Sequence, residues 1–133
     1  MAEKKYGKLV FKHPLEPGKF ADQRIQFVGE RDFNDNFSGI LCSVTKPMIM
    51  EEYPHKHDFD IYLTFIGLNP NGLHDLGAEI ELYLGEEQEK FVITAPTTIH
   101  IPKGFVHCPL KFVRVDRPLL LVHSSLAPKY KVG

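Results

Sequence analysis

Ten prolines and ten glycines punctuate the 133 residues of this chain, and no stretch between them carries a convincing helical repeat. Proline removes the backbone donor that a helix interior needs, and glycine adds an entropic cost there, so both residues break helices and favour turns. The segments they leave alternate apolar and polar side chains or are wholly apolar. They predict strands over roughly residues 8–12, 24–28, 37–45, 47–52, 55–66, 78–84, 90–94, 98–101, 105–113 and 118–123. So many short strands expose many edges unless sheets pair or close, which points to an all-β sandwich or barrel.

The length allows one core and hardly two, so a single domain over residues 1–133 is expected, with residues 1–30, which include Pro14, Pro17 and Gly18, as an N-terminal arm. Sixteen basic residues are balanced by seventeen acidic ones, for a net charge of -1. Scattered charges of both signs make no field for nucleic acid, and that role is not expected. No apolar run approaches the ~20 residues of a membrane helix. The start, Met1-Ala2-Glu3-Lys4-Lys5, is charged with no apolar stretch behind it, so a cytoplasmic protein with no membrane partner is expected. Cys42 and Cys108 have no Cys-x-x-Cys partner and read as reduced, mostly buried thiols.

Chemistry concentrates at Pro54-His55-Lys56-His57 and, about fifty residues on, at Ile101-Pro102-Lys103-Gly104-Phe105-Val106-His107. Residues i and i+2 of a strand project from one face, so His55 and His57 can offer two imidazoles to one ion. His107 would be the third, presented by the turn that Pro102 and Gly104 set. Of the other histidines, His123 ends the apolar run Leu119-Leu120-Leu121-Val122 and is a candidate acid–base group. His100 reads as an outward strand residue, while His13 and His74 sit in polar, turn-rich surroundings.

This pattern resembles the two motifs of the cupin superfamily. The first runs His-x-His, a few residues, Glu, six residues, Gly; the second runs Gly, five residues, Pro-x-Gly-x-x-His, with an Asn four residues on. The resemblance covers roughly residues 45–123 and implies a double-stranded β-helix, or jelly-roll barrel. It also implies a single divalent transition metal (Fe, Mn, Ni, Zn or Cu) held by His55, His57 and His107, and a homodimer through the arm and an outer sheet face. Pro96 stands where the second motif has glycine and Lys111 where it has Asn. A third departure removes a ligand: the acidic residue expected four positions after His57 is Ile61.

Two substitutes compete for that carboxylate. Counting from Asp60 puts Gly67 at the motif distance, but parity places Asp60 outward, opposite His55, His57, Phe59, Ile61, Leu63 and Phe65, unless a bulge intervenes. The stretch from Gly77 to Gly85 resembles the one that follows the first cupin motif, and that resemblance turns Glu79, Glu81 and Tyr83 inward. On this basis Glu79 is the expected fourth ligand and Glu81, with His123, a catalytic candidate. Simple patterning gives the opposite orientation, with Ile80, Leu82 and Leu84 in the core and both glutamates solvated. Both readings stand at this point.

Such a site suits a metal-dependent oxygenase, isomerase or lyase acting on a small organic molecule. Phe59, Leu63, Phe65, Phe105 and Tyr53 would wall it, and Lys103 or Arg114 could hold a substrate carboxylate. The alternative is a non-catalytic cupin that binds a small ligand or a metal as a sensor or accessory protein.

Overall fold

A computed structural model of the chain describes residues 4–14, 16–17 and 23–129. Residues 18–22 of the expected arm, and the first three residues, lie outside that set. Ten strands are present among the described residues: β1 (Glu16–Pro17), β2 (Gln23–Phe27), β3 (Ser38–Val44), β4 (Met48–Glu51), β5 (Ile61–Gly67), β6 (Ala78–Leu84), β7 (Glu89–Ile93), β8 (Thr97–Ile101), β9 (His107–Val115) and β10 (Leu119–Ser125). They form two antiparallel sheets, one ordered β1-β2-β3-β10-β5-β8 and the other β4-β9-β6-β7. The architecture is the all-β jelly roll expected from the sequence, built as two separate sheets that do not close into one barrel.

The differences from expectation are local. Residues 8–12 form no strand; a 3-10 turn over Gly7–Leu9 takes their place. The segment expected as one strand over 55–66 begins its regular pairing only at Ile61. Its parity nonetheless survives through the irregular part, since His57, Phe59, Ile61, Leu63 and Phe65 are all buried. None of the helices among the described residues is long and apolar enough to cross a membrane.

The core is the set of inward side chains of both sheets. Ile61, Leu63 and Phe65 of β5 and Leu119 and Leu121 of β10 come from one sheet; Ile80 and Leu82 of β6 and Leu110 and Phe112 of β9 come from the other. Phe65 and Phe112 meet edge to face at 6.0 Å between ring centres, a contact that joins the two layers. Simple alternation thus decides the orientation of β6: Ile80 and Leu82 are fully buried, so Glu79 and Glu81 stand on the opposite face.

Gly67, the glycine of the first motif, has a steric reason at the end of β5. A Cβ there would lie 2.4 Å from the Asp75 carbonyl oxygen, a backbone atom that cannot swing away. Gly67→Ala should therefore destabilise the fold by roughly 1–3 kcal/mol, the usual range for forced overpacking. Urea unfolding measures it, and an unchanged midpoint would contradict the close approach. The turn-rich residues 69–77 close this end of the sandwich, where Arg117 pairs with Asp75, and contribute nothing to the lining of the interior cavity described next.

Candidate metal centre

At the other end the segment before β5 meets the start of β9. His55 forms an isolated antiparallel bridge with His107, closed by His55 N–H donating to the His107 carbonyl at 3.0 Å and His107 N–H donating to the His55 carbonyl at 2.9 Å. The turn before His107 is tied to the same segment. Gly104 N–H donates to the His57 carbonyl (2.8 Å), and Lys103 N–H donates to Asp60 Oδ1 (3.1 Å). Gly104 has φ of +79, which glycine adopts without strain. The sequence Pro102-Lys103-Gly104 therefore acts as a clip that sets His107 against His55 and His57.

The three imidazole rings lie side by side, and those of His55 and His107 bring their ligand atoms within 4.8 Å of each other. Ring centres are 4.4 Å apart for His55 and His107, 5.0 Å for His55 and His57, and 5.1 Å for His57 and His107. His57 and His107 are buried, and His57 stacks on Phe59 at 5.2 Å. His55 Nδ1 lies 3.2 Å from the Tyr53 carbonyl, and His107 Nδ1 lies 3.2 Å from the Phe105 carbonyl. A carbonyl can only accept, so each Nδ1 carries the proton and each Nε2 keeps its lone pair for a cation. Carbonyl partners of this kind are what fix ligating histidines in metal sites.

His123, on β10, faces the same cluster. Burial pushes it down to about 4, and the neighbouring charge of His57, with smaller effects of His107 and His55, acts in the same direction. His107 is also pushed down to about 4, chiefly by burial. In the metal-free protein both rings are therefore neutral near pH 7. Because the unfolded chain takes up protons below about 6.5 and the folded one only near 4, stability present above pH 6.5 falls as pH drops from 6.5 towards 4. For His107 alone the shift corresponds to about 3 kcal/mol. Thermal melts of chelator-treated protein between pH 7 and pH 4.5 should show this loss, and a flat profile would contradict the burial of these rings.

Two side chains of this interior were not legible as site residues. On β9, Leu110 pairs with Leu82 and His107 with Leu84, so three residues of one strand span two of the other. This bulge, with Cys108 at φ of +83, brings Cys108 inward beside His107 instead of opposite it. The ligand atoms of His55, His107 and Cys108 lie within 4.8 Å of one another. On β4, Ile49 pairs with Lys111 and Glu51 with Leu110, so Met50 is an extra residue. Plain alternation would put Glu51 out with the exposed Ile49; the bulge turns it into the interior cavity with Met50. Glu51 is felt there by Cys108, whose thiol is pushed up to about 12 by burial first and by the Glu51 charge second.

The expected carboxylates are elsewhere. Glu79 pairs across the sheet with Arg114 and bonds to its guanidinium at 3.1 Å on the face turned away from the core. It also lies five residues along β6 from Leu84, the partner of His107, or about 17 Å at strand rise. Glu79 is thus wrong in face and in position for a ligand of these histidines. Glu81 shares that outer face, within 3.4 Å of Lys90 and 3.5 Å of the Tyr83 hydroxyl, and is corrected with it as a catalytic candidate. The resemblance to the stretch after the first cupin motif set the wrong register, and hydrophobic alternation set the right one. Asp60 faces out as parity requires. Its Oδ2 lies 2.7 Å from His100 Nε2, and that contact first, then the Lys103 N–H, lowers its pKa. Lys103 sits in the exposed turn, and Arg114 is engaged by Glu79 and Asp116.

Against known proteins, no family model and no curated protein matches this sequence. Solved structures do match in fold. An RmlC-like cupin from Shewanella frigidimarina has a TM-score of 0.57 at 14% identity, over 90% of this chain and 87% of that one. Peruvianin-I, described as a cysteine peptidase from Thevetia peruviana latex, has a TM-score of 0.63 at 9% identity, over 98% and 78%. Oxalate decarboxylase from Bacillus subtilis has a TM-score of 0.58 at 13% identity, over 84% of this chain but 27% of that one. Other matched chains are also spanned only in part, between 27% and 56%. Identities this low carry the fold and not the chemistry. With two facing antiparallel sheets and this set of neighbours, the chain has the cupin fold.

Proposed function

We propose that this chain is a metal-binding small cupin that acts as a metal-dependent enzyme on a small organic molecule, with His55, His57 and His107 as the ligands. The grouping of three rings, two of them with Nδ1 pinned to backbone carbonyls, carries the reading. Neutral imidazoles release no proton on binding a cation, whereas the Cys108 thiol must first lose one, so the histidines rather than Cys108 are the primary ligands. Imidazole donors suit Fe(II), Mn, Ni, Zn or Cu(II). Neighbours in fold include oxalate decarboxylase with Mn(II) centres and Fe(II)-HppE with an alternative substrate, which supports a metal-dependent reading without selecting a reaction.

A bound divalent ion would supply Lewis-acid polarisation or an activated water at this site. The chain's own residues do the rest. His123, neutral and buried beside the three histidines, is placed to take or return a proton. Glu51, whose charge reaches Cys108 from the cavity wall, is placed to supply the negative charge that Ile61 cannot. Leu121 and Met50 give the interior an apolar lining. The alternative, a non-catalytic cupin that binds metal or ligand as a sensor, rests on the same histidines and is favoured by the departure at Ile61.

Elemental analysis of protein purified without chelators tests the reading. About one transition-metal ion per chain is expected, and protein that neither carries nor takes up a divalent ion would overturn it. Turnover or its absence on small acids, with the ion in place, separates the enzyme from the sensor.

A further inference from the structure

The sequence candidates for holding an acid, Lys103 and Arg114, both lie outside the sandwich, yet a different cation is turned inward. Arg24 of β2 pairs with Cys42 of β3, which pairs with Leu121 of β10; Gln26 pairs with Ile40, which pairs with His123. Cross-strand partners share a face, so Arg24 and Gln26 stand on the inner face with the buried Leu121 and with His123. Between this face and β4 lies a cavity of about 310 Å³, lined among others by Arg24, Gln26, Ile40, Met50, Leu121 and His123.

Arg24 is poised for a ligand. Its Nε is fully buried and has no hydrogen-bond partner. A buried donor left unmade is costly, and more so when charged, so this nitrogen lacks the acceptor it needs. Its positive charge reaches the neighbouring Cys42, opposing the rise that burial imposes on that thiol. Glu51, on the β4 wall, is a like charge to any anion. An acid entering the cavity therefore turns its carboxylate to Arg24 and its other end along Ile40, Met50 and Leu121 to His123. At ~30 Å³ for each water-sized group, the volume holds about ten non-hydrogen atoms.

We propose that the cavity binds a small apolar monocarboxylic acid, with its carboxylate on Arg24 and its far end beside His123. Only the placement of that far end at a metal centre rests on the proposed function; recognition of the anion does not.

Titration calorimetry with hexanoate and benzoate, each beside its neutral amide, tests this on metal-loaded and on chelator-treated protein. Both acids should bind in both states. Each amide should bind more weakly by roughly 10- to 100-fold, the range of one charge-assisted contact. Arg24→Gln should erase the preference for acid over amide while metal content stays as in the wild type. Acids and amides of equal affinity, no binding of either acid, or an Arg24→Gln protein that still prefers acids would each overturn the proposal. The acid–amide comparison needs no variant, so it decides even if Arg24→Gln folds poorly. Acid preference in a protein that binds no metal would refute the metal reading and leave this one standing.

Discussion

Replacing His57 by Ala is expected to abolish stoichiometric metal binding while both sheets remain folded. His57 is buried, 3% exposed, with its ring about 5 Å from those of His55 and His107. Disturbing even an outer partner of a ligating histidine costs roughly 10- to 100-fold in affinity, so losing the ligand itself should cost more. The fold should tolerate the change, because the layers are joined by Phe65, Phe112 and the apolar residues around them rather than by the histidines. Cys108→Ser is the matched comparison. It leaves three imidazoles intact and, with a thiol pushed up to about 12, removes a group that is protonated in the metal-free protein. Elemental analysis together with circular dichroism reads both. Equal metal content in the wild type and His57→Ala would remove His57 from the ligand set, and loss of metal in Cys108→Ser alone would make the thiol the anchor.

The carboxylates should separate as sharply. Glu51→Gln is expected to weaken the metal by roughly 10- to 100-fold, the range for a group that supports a metal site, whereas Glu79→Gln and Asp60→Asn should leave it unchanged. Glu51 is turned into the interior beside Cys108 by the β4 bulge, and its amide analogue keeps the shape while removing the charge. Glu79 is held by Arg114 on the outer face, an exposed pair of the kind worth ~0–1 kcal/mol. Asp60→Asn keeps an oxygen to accept the Lys103 N–H, so the clip before His107 survives. Competition with a chelating dye measures all three. Normal affinity in Glu51→Gln with a crippled Glu79→Gln would mean that β6 presents its other face to the metal.

Much of the molecule could be read from the chain because it rests on local rules. Turn formers bounded the strands from β3 to β10, apolar alternation oriented β5 and β6, and parity placed Asp60 outward, each within a few residues of sequence. The pairing of His55 and His57 with His107 was legible too, through the spacing of two motifs and the turn residues that present the last histidine. Glu79 shows the limit of motif spacing: a register carried over from a family failed where Ile80 and Leu82 required burial.

What the chain alone could not reveal depends on pairing between distant strands. The bulges at Met50 and Cys108 exist only because β4 and β6 meet β9 in a particular register, and each inverts the facing that alternation predicts for its neighbour. Glu51 therefore reads as a surface residue and Cys108 as plain core until β9 is in place. Arg24 is hidden for the same reason. Nothing in residues 23–27 marks an inward cation; only the antiparallel register of β2 on β3, and of β3 on β10, sets its guanidinium on the face that carries His123. Side-chain direction within a strand is a property of the sequence, but which side becomes the interior, and where one extra residue reverses it, is decided by the partner strand.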